Sequence, residues 1–146
     1  MADFNAVGFL APKFTPGDGC AVHYVDKVTL TANPTAADRL MFRIPAGVEV
    51  ANAQIQCDDI DTNATPTFAF SVGYAPIEGG SVTAAPTYFA ATGQTTARTG
   101  GRLVCAFKPI TFQEDVALTV TVGTASATFA AGDVIAIIGG SSNGPR

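Results

Sequence analysis

Thr67-Phe68-Ala69-Phe70-Ser71-Val72-Gly73-Tyr74 alternates large and small residues without a break. Phe68, Phe70, Val72 and Tyr74 fall on one side of an extended chain, and Thr67, Ala69, Ser71 and Gly73 on the other. That is the two-residue period of a β-strand. The stretch Val116-Ala-Leu-Thr-Val-Thr-Val122 repeats it, with Val116, Leu118, Val120 and Val122 against Ala117, Thr119 and Thr121. In both, the second face is made of small residues, which can lie against another sheet or another copy of the chain.

Working outward, β-branched and aromatic residues mark further strands over Val22–Thr31, Leu40–Ile44, Val48–Cys57, Leu103–Phe107 and Asp133–Ile138. Pro45-Ala46-Gly47 is a turn signal between two of them. The apolar parity shifts between Val50 and Ile55, the mark of a bulge or of two short strands. Helical patterning is confined to one turn at Ala36–Met41 and another at Ser81–Ala91, where Pro86 interrupts it. Thr83 to Thr99 reads as a long, Thr-rich loop, and long loops on a rigid β frame often make contacts. The chain is therefore predicted to be all-β, a jelly-roll-like β-sandwich or small barrel of roughly eight strands.

The two ends differ from the middle. Residues 1–19 carry Phe4, Phe9, Leu10 and Phe14 with no strand alternation, which predicts an extended N-terminal arm that wraps this domain or a neighbour. Residues 20–138 form the β domain. Residues 139–146, Gly-Gly-Ser-Ser-Asn-Gly-Pro-Arg, have flexible-linker chemistry and predict a tail. The opening residues have no basic region and an apolar run broken by Asp3 and Asn5, so they do not read as a secretory signal.

Composition bounds the function. Charged residues are 14% of the 146, against about 25% in an ordinary soluble domain, while hydrophobic residues reach 47%. A surface so poor in charge favours association. The net charge of −4 and the scattering of the eight cations leave no basic face for nucleic acid. The longest apolar stretch, Ala125–Ile138, is interrupted by Ser126, Thr128, Gly132 and Asp133 and is too short to span a membrane. Cys20, Cys57 and Cys105 are odd in number and widely spaced, which fits reduced thiols and no disulfide framework.

Motifs for chemistry are incomplete. His23 is the single histidine, and with Cys20 it makes half a zinc site at most. Asp59, Asp61 and Asn63 have the alternate spacing of a calcium loop. Ala64 and Phe70, however, stand where that loop needs its glycine and its bidentate Glu. They read as a turn whose side chains bond the backbone, with a weak cation site as the alternative. Arg98-Thr-Gly-Gly-Arg102 lacks the Lys and Ser/Thr of a phosphate loop, and its arginines suit a carboxylate on a partner. No catalytic set and no cofactor are expected. Partner binding is expected at Phe4, Phe9, Phe14, Arg98 and Arg102.

The segment Asp38-Arg-Leu-Met-Phe-Arg-Ile-Pro-Ala-Gly-Val-Glu-Val-Ala-Asn-Ala-Gln-Ile55, with Thr67–Tyr74 and Ala131-Gly-Asp-Val-Ile-Ala-Ile-Ile138, resembles small structural proteins of tailed bacteriophages over residues 38 to 138. These include capsid decoration, or cement, proteins. The resemblance implies a virion protein. The missing secretory signal and the reduced cysteines place its synthesis in the host cytoplasm, and the single histidine, scattered carboxylates and lack of any complete motif predict that it is not an enzyme. The resemblance also implies a homo-oligomer, a trimer or dimer, that sits on the head and clamps adjacent copies of the major capsid protein. It supplies no site residues. The alternative is a carbohydrate-binding or receptor-binding β module of a head or tail fibre. Such a module needs an aromatic platform from Tyr24, Tyr74 or Tyr88, since the chain has no Trp.

Overall fold

A computed structural model describes residues 2–10 and 19–143 of the chain. The two alternating stretches form strands β5 (Ala69–Pro76) and β9 (Val116–Thr124), which pair antiparallel with Val72 opposite Val120 and Ser71 opposite Thr121. On its other side β9 pairs with β3 (Arg39–Ile44), Phe42 lying opposite Leu118. β1 (Asp3–Asn5) joins β3 in parallel and β6 (Ala85–Gln94) joins β5, so the first sheet runs β1-β3-β9-β5-β6. The second sheet runs β2-β10-β4-β7, formed by Ala21–Leu30, Gly132–Ser142, Val48–Cys57 and Gly101–Val104; β8 (Ile110–Thr111) also pairs with β4. A short 3-10 turn at Thr96–Arg98 is the one helical element among the described residues.

The inward faces of the two sheets meet in one core. Leu40, Phe42, Phe70 and Leu118 from the first sheet face Leu30, Val50 and Ile55 from the second, and all are buried. Two open sheets packed this way are a β-sandwich, not a closed barrel. The parity shift is a bulge within one strand: Gly140 of β10 pairs with Val50 and Gly139 with Asn52, leaving Ala51 as the extra residue. A β-carbon on Gly140 would sit 1.8 Å from the Glu49 carbonyl oxygen, so the bulge needs glycine there.

Several expectations change. The Thr-rich stretch from Thr83 and the turn at Ser81–Ala91 are not loop or helix: Ala85–Gln94 is strand β6, irregular in register, with Phe89 buried. Backbone pairing with β5 outweighs a sequence with little alternation. The third region, predicted over Leu103–Phe107, begins two residues earlier and ends at Val104. The tail predicted from residue 139 is strand as far as Ser142, because β2 and β4 flank β10 on both sides and ladder bonds need no side chain. Ala36–Met41 makes a bend with Ala37 at φ 73° and then enters β3. Sequence alone predicted roughly eight strands, and the described residues hold ten.

Candidate functional site

The outward face of the second sheet is built from side chains that alternate with the core. In β10, Val134, Ala136 and Ile138 point inward and are buried, so Ile135 and Ile137 point out. Pairing aligns neighbours in two rows. One row is Val25, Ile137, Gln54 and Val104, and the next is Lys27, Ile135, Gln56 and Arg102. Val25 is 55% exposed and Val104 63% exposed. Val7 of the N-terminal segment, 79% exposed, extends the apolar area and helps Val25 and Ile135 enclose a shallow depression of about 310 Å³.

Arg102 lies in this face as an exposed side chain. Its Nε donates to Gln56 Oε1 at 3.1 Å and its Nη1 to Gln54 Oε1 at 3.0 Å. Both acceptors are neutral amides, so the guanidinium is held in place with no carboxylate partner among the described residues. The two rows contain no carboxylate; Lys27 at their rim lies 3.6 Å from Asp133, a partner outside them. The other arginine expected to bind a partner is used internally: Arg98 Nε donates to the Phe68 carbonyl at 2.7 Å.

The outward face of the first sheet is covered. Met41, Ala117, Thr119, Ser71 and Ala75 all point away from the core, yet all are buried. The start of β6 crosses so close above Gly73 that a β-carbon there would meet the Ala85 oxygen at 2.0 Å. The N-terminal segment forms a second cover. It is fastened by the Asp3–Arg39 ion pair, by Arg43 donating to the Phe9 carbonyl, and by the Gly8 N–H donating to Asp26. The Ala2 and Thr35 N–H groups donate to Asp38 and hold its carboxyl below the ordinary range. A groove of about 550 Å³ remains between Leu10 and Phe9 on one side and the Pro76–Gly80 loop on the other.

The aromatic residues expected to anchor a partner divide accordingly. Phe9 is only 6% exposed and belongs to this chain's own core, and Phe4 packs against it from β1. Phe14 lies outside the described residues. Missing from the expectation were Val25, Ile135, Ile137 and Val104. Their signal was in the run Val134–Ile138, which is apolar on both parities and so leaves one apolar side facing outward.

Elsewhere the chemistry is structural. Asp61 is buried, and its carboxylate accepts from the N–H groups of Thr67, Phe68, Ala127 and Thr128 at 2.7–3.0 Å. Burial pushes its pKa up, but those four N–H donors outweigh it and hold the carboxyl well below the usual range. Donors thus occupy the oxygens that a cation would need. Burial pushes the thiol of Cys57 up to about 12 and that of Cys105 up to about 11, leaving both protonated at neutral pH. Cys20 and His23 are exposed on the edge of the second sheet. Tyr74 and Tyr88 stack edge-on at 5.4 Å in a cluster with Phe89, and the Tyr88 hydroxyl donates to the Lys108 carbonyl, so neither is a free platform for a sugar ring.

No protein-family model and no curated protein matches the sequence. Two solved structures share the fold. A chain of the cyanophage Pam1 capsid asymmetric unit superposes with a TM-score of 0.72 at 27% identity, over 92% of each chain. A chain of the capsid of Ralstonia phage GP4 superposes with a TM-score of 0.75 at 24% identity, over 99% of this chain and 100% of that one. The chain therefore shares its fold with structural chains of two phage capsids. On the second sheet of this shared fold, Val25 and Val104 stand exposed on the outward face.

Proposed function

We propose that this protein is a capsid decoration, or cement, protein that binds the outside of the head as a small oligomer and stabilises contacts between major capsid subunits. The observation that carries the reading is the end-to-end likeness of this small sandwich to chains from two phage capsids. A rigid β frame with an apolar outer face suits a clamp, since many symmetric copies multiply a modest contact. No catalytic role is assigned, because its buried thiols are protonated at neutral pH and its best-buried carboxylate is filled by backbone donors. The test compares heads of the parent phage with and without the protein. Heads that lack it should release their genome at a lower temperature, and adding the purified protein should restore the wild-type value. Equal stability, with no binding of the added protein, would remove the decoration reading.

A further inference from the structure

We propose that the outward face of the β2-β10-β4-β7 sheet, centred on Arg102, is the surface that docks on the capsid. Its partner would be a flat apolar protein surface that presents a carboxylate to Arg102. The inference rests on the decoration reading above and names the site through which that role is performed.

The two faces of the sandwich make the choice. The first sheet's outer face is already occupied by the N-terminal segment and by the start of β6. Among the described residues no segment covers the second sheet's outer face, where Val25 and Val104 are exposed beside the half-buried Ile135 and Ile137. Apolar side chains aligned across neighbouring strands in this way mark an interaction surface. Arg102 sets the chemistry of the occupant. Arg39 and Arg43 are each matched by a carboxylate of this chain and Arg98 is turned onto the Phe68 and Thr67 carbonyls, whereas the exposed Arg102 is oriented only by two neutral glutamine oxygens. A guanidinium pre-set in an apolar face loses little freedom when a carboxylate arrives, and arginine is prominent among interface hot spots. The alternative occupant, a second copy seated face to face, fits worse. The two rows named above bring another Arg102 and no carboxylate, and Asp133 in the adjacent row is already engaged by Lys27 and Thr29.

The experiment adds purified protein to heads that lack it and measures bound copies by co-sedimentation. The variants are Arg102→Glu, Val25→Asp and, as a control for net charge, Lys108→Glu. Lys108 is an exposed cation in the β7–β8 connection. Wild type and Lys108→Glu should bind alike, while Arg102→Glu and Val25→Asp should lower affinity by roughly a hundredfold with unchanged melting temperature. If wild type binds and both face variants bind equally well, the face is wrong and the decoration role stands. If folded wild type does not bind at all, the decoration role itself fails and takes this inference with it. A wild-type oligomer in free solution that both face variants convert to monomer would also overturn the proposal, by making the face a contact between copies.

Discussion

The two sheets of this sandwich are built from the same alternating code, yet they treat their outward faces oppositely. On β9 and β5 of the first sheet the outward residues are small: Ala117 and Thr119 on β9, Ser71, Gly73 and Ala75 on β5. Small side chains let the backbone of β6 and the N-terminal segment approach closely, and the face is buried by its own chain. On the second sheet the outward residues are long or branched: Ile135, Ile137, Gln54, Gln56 and Arg102. They fill the space above the strands and leave a broad surface instead of a seat for another segment. The lesson is that side-chain size on the second face decides whether a sheet is covered from within or left for a partner.

The sharpest way to break this comparison is at Gly73. Gly73→Val puts side-chain carbons where the Ala85 carbonyl and Pro86 already lie, within 2.0–2.6 Å. We expect a loss of about 4 kcal/mol, or failure to fold, in chemical denaturation. A midpoint equal to wild type would show that the cover over the first sheet is loose.

A second prediction concerns the tie between the sheets. Asp61 joins the entry to β5, through Thr67 and Phe68, to the connection between β9 and β10, through Ala127 and Thr128. Asp61→Asn keeps the size but replaces one acceptor oxygen with a donor facing N–H groups. We expect the melting temperature at pH 7 to fall by ~10 °C. The pH dependence has a definite sign. A carboxyl whose folded pKa is depressed stabilises the fold above its unfolded value of about 4 and loses that contribution as pH falls through the folded value. Wild type should therefore lose stability steadily below about pH 4, with Asp38 contributing in the same direction. Asp61→Asn should show a shallower acid slope. Parallel slopes for the two proteins would mean that Asp61 is not the group responsible.

The smallest effect is expected on the bare face. Ile137→Thr removes apolar surface that is already partly in water, keeps the β-branched shape, and should change stability by under about 1 kcal/mol. A larger loss would show that this face is packed against something in the folded chain and would erase the contrast between the sheets.

Much of the architecture was legible residue by residue. The inward sets of β5 and β9, Phe70 and Val72 with Leu118 and Val120, follow from strict alternation. The bulge opposite Gly140 was visible as the parity shift between Val50 and Ile55. The site was legible only in part. Arg102 could be singled out, but its setting between Gln54 and Gln56 depends on the register of β4 with β7. Phe9 looked like an anchor for a neighbour because an aromatic residue in an unpatterned segment has no visible home. Arg43 and the covered sheet supply that home within the same chain. β6 escaped notice because Thr and Ala carry little hydrophobic contrast, and its strand state comes from pairing with β5.

By itself, then, the sequence determined the all-β class, most of the strands and which side of each central strand is apolar. These follow from a period of two residues and need only local information. The tertiary structure decided which outward face is covered, where the N-terminal segment lies and how Arg102 is set between two glutamines. Those outcomes rest on contacts between residues far apart in the chain, Phe9 with Arg43, Gly73 with Ala85 and Asp61 with Thr128, whose pairing no local pattern encodes.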